Sequence, residues 1–221
     1  MVPGARLVLL GKQGAGKGTQ CVRLARHYVI PHVSTGEIFR NAVRLGTEFG
    51  KRAKEFMDAG ELVPDEVVIG VVAERLDRDD VKVRGLLLDG FPRTVHQAEA
   101  LERLLPLRGI DLVVDLEVPT EVVLKRLSGR RVCTNCETNY SVDTPPTVDW
   151  KCDVCGDRVI QREDDTEAAI QRRLFLYEEQ TAPLIAWYME KDKLVAVDGV
   201  GRPDDVTFRL TRAIDLRLRN Q

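Results

Sequence analysis

Short apolar runs rich in valine and leucine alternate along the chain with longer segments of helical periodicity. Such runs predict parallel strands buried on both faces, because helices cover both sides of a parallel sheet. Five strands are predicted, at Leu7–Leu10, His32–Ser34, Leu86–Asp89, Leu112–Leu116 and Leu194–Val197. Helices are predicted at Lys17–Tyr28, Asp65–Arg78, Val95–Leu104, Thr120–Leu127, Thr166–Lys191 and Pro203–Leu218. The alternation favours an α/β fold with a five-stranded parallel sheet and helices on both faces.

Two segments interrupt this alternation. Residues 129–165 contain four cysteines, two prolines and no helical period, which predicts a small insertion. Residues 34–63 contain two short helical patterns separated near Gly46, which predict a second, helical insertion. We therefore expect one core domain, formed by residues 1–33, 64–128 and 166–221, that carries both insertions.

Composition and charge limit the classes of partner. The 221 residues are 43% hydrophobic and 31% charged, with a net charge of −2, so the chain has no overall basic field for nucleic acid or anionic lipid. No apolar run approaches the ~18 residues of a membrane span, and the first residues lack a signal-peptide core. The interpretation is a cytoplasmic monomer that binds neither nucleic acid nor membranes.

A glycine-rich loop follows the first predicted strand. Four residues separate Gly11 from Gly16, and Lys17 follows directly. Glycines allow backbone N–H groups to converge on a phosphate chain, and the helix that begins at Lys17 adds free N–H groups and its dipole. Lys17 would reach the β- and γ-phosphates, and Thr19 would supply the hydroxyl near Mg²⁺ because Gly18 takes the usual position. A turn without chemistry is the alternative, but the order of strand, loop and helix favours a phosphate site.

Asp89 ends another predicted strand. The second strand of a P-loop NTPase fold would place a carboxylate there, directed toward Mg²⁺. A helix cap is the other interpretation of this residue. Together, the loop and this carboxylate predict the P-loop NTPase fold.

The cysteines have the spacing of a metal site. Cys133 and Cys136 form one C-x₂-C pair, and Cys152 and Cys155 form another after fifteen intervening residues. Two such pairs can offer four thiolates to one tetrahedral zinc ion, which leaves no open position for catalysis. Two disulfides and a redox motif are the alternatives. We expect one structural zinc per chain in a zinc-ribbon-like insertion.

A zinc ribbon that binds nucleic acid would be a different class of function. Such a ribbon should be basic. Between the first and last of the four cysteines the balance is −3 before the thiolates are counted, from Glu137, Asp143, Asp149 and Asp153 against Lys151. This balance disfavours the nucleic-acid hypothesis.

Five motifs in order give the chain a specific resemblance. They are GAGKGTQ at Gly14–Gln20, STGEIFR at Ser34–Arg40, DGFPRT at Asp89–Thr94, SGRRVC at Ser128–Cys133 and RxDDxxxxxxxRL at Arg162–Leu174. Over nearly its whole length the chain resembles adenylate kinases of the bacterial type with a zinc-bearing lid. It departs from many of them at Gln13, where they have proline. The resemblance implies reversible conversion of ATP and AMP into two ADP with Mg²⁺, a monophosphate-binding segment at 34–63 and a lid at 129–165.

The resemblance also implies the roles of individual residues. For ATP they are Gly14, Ala15, Gly16, Lys17, Gly18, Thr19, Arg126, Arg130, Asn139, Tyr140 and Gly201. For AMP they are Thr35, Arg40, Glu61, Leu62, Val63, Gly90, Phe91, Pro92, Arg93, Gln97, Arg162 and Arg173. The catalytic residues implied are Lys17, Arg93, Arg130, Arg162 and Arg173, and those near Mg²⁺ are Thr19 and Asp89. Guanidinium groups suit these tasks because they hold phosphate oxygens in pairs and stay charged.

Thr35 and Gln97 bear on the choice of acceptor. A glutamine amide both donates and accepts hydrogen bonds, which matches the edge of adenine. We therefore expect AMP, with UMP, CMP and GMP as the alternative acceptors. Thr35 has a second interpretation as a helix N-cap. The acceptor phosphate is already ionised near neutral pH, since its second pKa is ~6, so the reaction needs no general base.

Overall fold

The computed structural model describes residues 4–162 and 165–219 of the chain. Its first half contains β1 (Arg6–Leu10), α1 (Lys17–Tyr28), β2 (His32–Ser34), α2 (Thr35–Arg44), α3 (Glu48–Ala59), α4 (Asp65–Leu76), α5 (Asp79–Arg84), β3 (Leu86–Asp89) and α6 (Val95–Leu104). Its second half contains β4 (Leu112–Glu117), α7 (Thr120–Ser128), β5 (Arg130–Cys133), β6 (Asn139–Ser141), β7 (Val159–Ile160), α8 (Glu167–Leu176), α9 (Pro183–Glu190), β8 (Leu194–Asp198) and α10 (Pro203–Arg219). None of the helices in these two ranges is both long and apolar enough to cross a membrane.

The five predicted strands form one parallel sheet in the order β2-β3-β1-β4-β8. The first strand is therefore central, and it pairs with β3 through Arg6 and Leu86 and with β4 through Leu7 and Leu112. The α/β fold and the five-stranded parallel sheet are confirmed. Because all five strands run the same way, their carboxyl ends meet at one edge, where loops can form a site.

Alternate residues of β1 enter two separate hydrophobic clusters. Leu7 and Leu9 pack with α1 and α10, whereas Val8 and Leu10 pack with α4, α6 and α9. This alternation follows from the two-residue period of a strand whose faces are both covered by helices. It explains why the strand consists of consecutive apolar residues and holds the loop after Leu10 on a rigid base.

Residues 34–63 form a helical pair on one side of this edge. The Ser34 hydroxyl caps α2 by accepting a hydrogen bond from the Glu37 N–H at 3.4 Å. The N-cap is therefore Ser34, and the interpretation of Thr35 as the cap is wrong. Helices α2 and α3 pack closely because Gly50 lies against the backbone of Ala42, where a Cβ atom would come within 2.1 Å of the carbonyl oxygen.

Within residues 129–162, the strands β5, β6 and β7 form a small antiparallel sheet in the order β6-β5-β7. Its buried cluster consists of Cys133, Cys152 and Val159, with Tyr140 packed against them. Three buried side chains are too few to stabilise an independent unit, which agrees with the expectation that a metal ion holds this insertion together.

The predicted continuous helix at Thr166–Lys191 is wrong. Helix α8 ends at Leu176, a π-helical turn occupies Tyr177–Thr181, and α9 begins at Pro183. Proline has no N–H to continue the helical ladder, so it is placed in the first turn of the new helix. The last residue of the π-helical turn contacts the loop after β3, because the Thr181 hydroxyl donates a hydrogen bond to the Arg93 carbonyl oxygen at 2.9 Å.

Candidate active site

A cleft of about 730 Å³ opens at the carboxyl edge of the sheet, between the two insertions. Its walls contain every residue implied for ATP and for AMP except Phe91. The Phe91 side chain instead packs into the hydrophobic cluster beneath β3, with 1% of its surface exposed. The structure therefore brings the sequence-derived candidates together in one place.

The loop after β1 has the backbone of a phosphate cradle. Gly11, Gly14 and Gly16 have φ values of 134°, 82° and 103°, a region that favours glycine. At Gly11 a side chain would also collide, because a Cβ atom would lie 2.7 Å from the Leu116 carbonyl oxygen. The loop leads directly into α1, so the free N–H groups of its first turn face the cleft.

Lys17 folds back over this loop. Its Nζ atom donates hydrogen bonds to the carbonyl oxygens of Gly11 at 2.5 Å and Lys12 at 2.9 Å. Burial lowers the pKa of Lys17 to about 8, although the nearby charge of Asp89 acts in the opposite direction. The Lys17 ammonium is bound here by neutral carbonyl oxygens. A phosphate that replaced them would be a stronger partner, because it carries the opposite charge.

Asp89 lies at the end of β3 and faces the same region. His32 Nε2 is 3.6 Å from its carboxylate. Burial opposes ionisation, but the contact with His32 and the charge of Lys17 outweigh it and hold the pKa of Asp89 below its usual value. The carboxylate caps no helix, since α6 begins at Val95 and Thr94 caps it. Asp89 and the Thr19 hydroxyl, which also lines the cleft, fit the hard oxygen ligands that Mg²⁺ prefers.

Two arginines on the lid side of the cleft have defined partners. Arg126 donates to the carbonyl oxygens of Ala15 at 2.9 Å and Gly199 at 3.2 Å. Arg130 makes two hydrogen bonds with the fully buried carboxylate of Asp165, one of them at 2.7 Å. The acid thus fixes the direction of the Arg130 guanidinium at the base of the lid.

Gln13 connects Arg130 with Arg173. With its amide oxygen turned toward the two guanidinium groups, it accepts hydrogen bonds from Arg130 at 3.1 Å and from Arg173 at 2.9 Å. Arg173 also donates to the Met57 carbonyl oxygen at 2.8 Å, which links α8 to α3. The residue that departs from the family pattern therefore has a specific set of contacts in this protein.

A hydrogen-bond network supports the other side of the cleft. The Thr35 hydroxyl and Arg93 Nε both donate to the Gly90 carbonyl oxygen at 2.9 Å. Gln97 is 1% exposed, and its amide oxygen accepts from the Arg93 N–H at 2.8 Å while its amide nitrogen donates to Asp65 at 2.7 Å. The network fixes the orientation of the Gln97 amide and leaves one of its N–H groups for a ligand.

Arg40 crosses the cleft to the lid, where its Nε atom lies 2.7 Å from a carboxylate oxygen of Glu137. Glu61 forms a pair with Arg172 at 2.6 Å at the outer end of the cleft. Arg162 lines the cleft, and the two residues after it in the RxDD motif, 163 and Asp164, lie outside the described residues.

The four lid cysteines converge on one point. The Sγ atoms of Cys133 and Cys155, and those of Cys136 and Cys152, are 3.4 Å apart, and all four lie within 4.8 Å of one another. Disulfide bonds are absent among them, since a bonded pair would be about 2.05 Å apart. Four thiolates around zinc at about 2.3 Å would be separated by about 3.8 Å, so the arrangement is compatible with that ion.

The surroundings shift the pKa values of Cys133 and Cys152 in opposite directions. Although burial opposes ionisation, hydrogen bonds from the Tyr140 hydroxyl and from backbone N–H groups lower the pKa of Cys152 to about 6. Burial raises the pKa of Cys133 to about 12. The hydroxyl of Tyr140, a residue that the resemblance assigns to ATP, is thus engaged at the cysteine cluster, at 3.4 Å from Cys152 Sγ.

Sequence reasoning missed the residues that orient the candidates. Asp65 holds Gln97, Asp165 holds Arg130, Gln13 joins two arginines and Glu137 meets Arg40. Asp165 could have been found, because it lies in the RxDD motif. Gln13 stood out as a departure from the family pattern, but neither it nor Asp65 or Glu137 had a local signal for its contacts, since each partner is distant in sequence.

Comparisons with known proteins agree with the motifs. The sequence model of the family described as adenylate kinase matches residues 9–193. An adenylate kinase of Clostridium perfringens (strain 13 / Type A) is 52% identical over 204 residues, which cover 91% of this chain and 93% of its own. An adenylate kinase of Moorella thermoacetica is 50% identical over 212 residues, which cover 95% and 97%. One of Thermoanaerobacter pseudethanolicus is 49% identical over 212 residues, with the same coverage.

Proposed function

The chain belongs to the adenylate kinase family, and we propose how its cleft performs that family's reaction, the reversible conversion of ATP and AMP into two ADP. The protein is a nucleoside-monophosphate kinase and therefore a phosphotransferase. The observation that carries the proposal is the convergence of Lys17, Arg93, Arg130 and Arg173 on one cleft at the end of the parallel sheet.

The phosphate loop side receives ATP. The backbone N–H groups of residues 14–19 and the Lys17 ammonium hold the β- and γ-phosphates, which replace the loop carbonyls as partners of Lys17. Arg126 and Arg130 add positive charge at the hinge of the lid. Asn139, Tyr140 and Gly201 also line the cleft and contact the nucleoside.

The helical side receives AMP. Arg40, Arg93, Arg162 and Arg173 surround the acceptor phosphate, while Leu62, Val63 and the backbones of Glu61, Gly90, Phe91 and Pro92 contact the nucleoside. Gln97 and Thr35 bind the base. The remaining N–H of the Gln97 amide is oriented by the hydrogen bonds that Gln97 makes with Asp65 and with the Arg93 backbone. Discrimination follows because an acceptor with the wrong edge leaves these buried groups unpaired.

Transfer proceeds by attack of an acceptor phosphate oxygen on the γ-phosphorus of ATP, with ADP as the leaving group. Lys17, Arg93, Arg130, Arg162 and Arg173 hold the two phosphates in line and balance the charge that develops on the transferred group. Asp89 and Thr19 are the residues that would hold Mg²⁺, which supplies further charge neutralisation on the nucleotide phosphates. No side chain forms a covalent bond to the phosphoryl group.

The two insertions protect the reaction from water. Residues 34–63 and 129–165 close over the substrates and exclude water, which would otherwise accept the phosphoryl group. The four cysteines hold a zinc ion that folds the lid and takes no part in transfer. The protein acts as a monomer, which light scattering would test, and in the cytoplasm, which cell fractionation would test.

The test is turnover with each monophosphate. Purified protein with Mg-ATP should convert AMP into ADP faster than CMP, UMP or GMP into their diphosphates. Lys17→Ala and Arg93→Ala should each lower kcat by orders of magnitude, because each removes charge next to the transferred group. Arg103→Ala removes an exposed arginine outside the cleft and should not change kcat. Near-normal turnover in Lys17→Ala or Arg93→Ala would contradict the roles of these two residues.

A further inference from the structure

Glu137 in the lid and Arg40 in α2 form an ion pair across the cleft. The Arg40 Nε and Glu137 Oε2 atoms are 2.7 Å apart, and about 30% of each side chain is exposed, 29% and 31% respectively. A second contact lies beside it, in which Arg44 donates to the Asn135 carbonyl oxygen at 3.1 Å. The segment between β5 and β6, residues 134–138, therefore touches the acceptor segment through a charge pair and a hydrogen bond.

The backbone at Glu137 is unusual for a glutamate. Its φ is 56°, in the left-handed region that glycine adopts without strain and other residues adopt at a conformational cost. The turn itself needs only the backbone, since the Glu137 N–H donates to the Cys133 carbonyl oxygen at 3.2 Å. A side chain at this position adds nothing to the turn, and the contact that it does make is with Arg40.

The position of this carboxylate matters because Arg40 is a residue of the acceptor site. A carboxylate oxygen at 2.7 Å occupies the guanidinium edge to which a phosphate oxygen would bind. The acceptor phosphate carries a charge of about −1.5 to −2 at neutral pH and three acceptor oxygens, against one negative charge on Glu137. Phosphate can therefore displace the carboxylate, but only after the existing pair is broken.

We propose that Glu137 is an exchangeable counter-anion for Arg40, displaced by the acceptor phosphate, so that this lid residue lowers the affinity for AMP. The inference rests on the proposed function, because Arg40 must be a phosphate ligand. Glu137 acts through Arg40 and is a positioning residue. It keeps the Arg40 guanidinium compensated and directed into the cleft while AMP is absent.

The experiment measures nucleotide binding calorimetrically in zinc-loaded protein, without turnover. Glu137→Gln keeps the size of the side chain and removes its charge, so the Kd for AMP should fall about two- to fivefold, the range expected for a partly exposed ion pair. The Kd for ATP should stay unchanged. Asp149→Asn is the matched control, because it removes one negative charge from an exposed lid residue outside the cleft and should leave both constants unchanged. Equal zinc content in all proteins shows that the lid is intact.

Two further variants separate charge from backbone strain. Glu137→Gly also removes the charge, and it should change AMP binding as Glu137→Gln does. In an Arg40→Gln background, which itself weakens AMP binding, Glu137→Gln should have no further effect, because the interaction is already gone. An unchanged or raised Kd for AMP in Glu137→Gln, or an effect of Glu137→Gly alone, would overturn the inference.

The failure of this inference is distinguishable from failure of the proposed function. If the wild-type protein binds AMP and forms ADP while Glu137→Gln binds AMP like the wild type, only the role of Glu137 is wrong. If the wild-type protein neither binds AMP nor forms ADP from it, the proposed function itself fails.

Discussion

Asp115 is a buried acid whose replacement should stabilise the protein. It lies on β4 with 4% of its surface exposed, and its Oδ1 atom has no hydrogen-bond partner among residues 4–162 and 165–219. Burial, and secondarily the charge of Glu117, raises its pKa from 3.8 to about 6. Asp115→Asn removes the charge with little change of volume, so the buried site no longer has to accommodate an ion.

The magnitude follows from the pKa. A rise of about two units corresponds to about 3 kcal/mol, because each unit is worth about 1.4 kcal/mol. The native state retains a proton that the unfolded chain loses between about pH 4 and 6, so wild-type stability falls as the pH rises through this window. The Asp115→Asn variant does not lose this free energy of unfolding, because its amide does not ionise. We expect a gain of about 2 to 3 kcal/mol at pH 7.5, equivalent to about 4 to 12 °C in Tm.

The assay is urea unfolding of both proteins across this pH range. The gain should be full at pH 7.5, about half as large at pH 5 and about a fifth as large at pH 4. The exposed Asp149→Asn is the control, and its stability should follow the wild type at every pH. A gain that is the same at pH 4 and pH 7.5, or a loss of stability at pH 7.5, would refute the electrostatic explanation.

The remaining predictions concern the cleft and the lid. Gln13→Ala should lower kcat by about tenfold with little change in Tm, because Arg130 and Arg173 lose the amide oxygen that accepts hydrogen bonds from both. Rapid-quench kinetics would measure the loss, and an unchanged kcat would show that catalysis does not need this contact. Asp65→Ala should raise KM for AMP but leave KM for ATP unchanged, since it frees the Gln97 amide; a change confined to ATP in steady-state kinetics would mean that the two sites are reversed. Removal of the lid metal by a chelator should lower the Tm and weaken ATP binding while some kcat survives at low temperature, and complete loss of kcat in fully folded protein would indicate a catalytic metal.

The elements of the fold could be predicted because their signals are local. The apolar run before the phosphate loop and the two C-x₂-C pairs each carry their meaning within a few residues. The order of strands in the sheet could not be derived in this way, since it depends on which helices cover which face. The helix predicted at Thr166–Lys191 is too long because the apolar spacing continues across Pro183, while the π-helical turn and the hydrogen bond from Thr181 to the distant Arg93 leave no local signal.

The site was predictable to the same extent. Motifs identify Lys17 and the arginines, whereas Glu137 and Asp65 act on partners 97 and 32 residues away. Glu137 contributes to the acidic charge balance of the lid, but sequence alone provides no reason to pair it with Arg40. Pairings across a cleft depend on how two insertions face each other, and that information is not local.

The central position of β1 has a consequence for synthesis of the chain. Its two neighbours in the sheet, paired through Arg6 with Leu86 and through Leu7 with Leu112, lie 80 and 105 residues later. At about 5 to 20 residues per second, the first partner emerges from a ribosome about 4 to 16 s after β1. During that interval the apolar strand Arg6–Leu10 has both edges unpaired, which makes it a site for chaperone binding or aggregation. The strand that supports the phosphate loop is thus the first strand translated and stays unpaired until β3 and β4 follow, and slow translation would prolong its exposure.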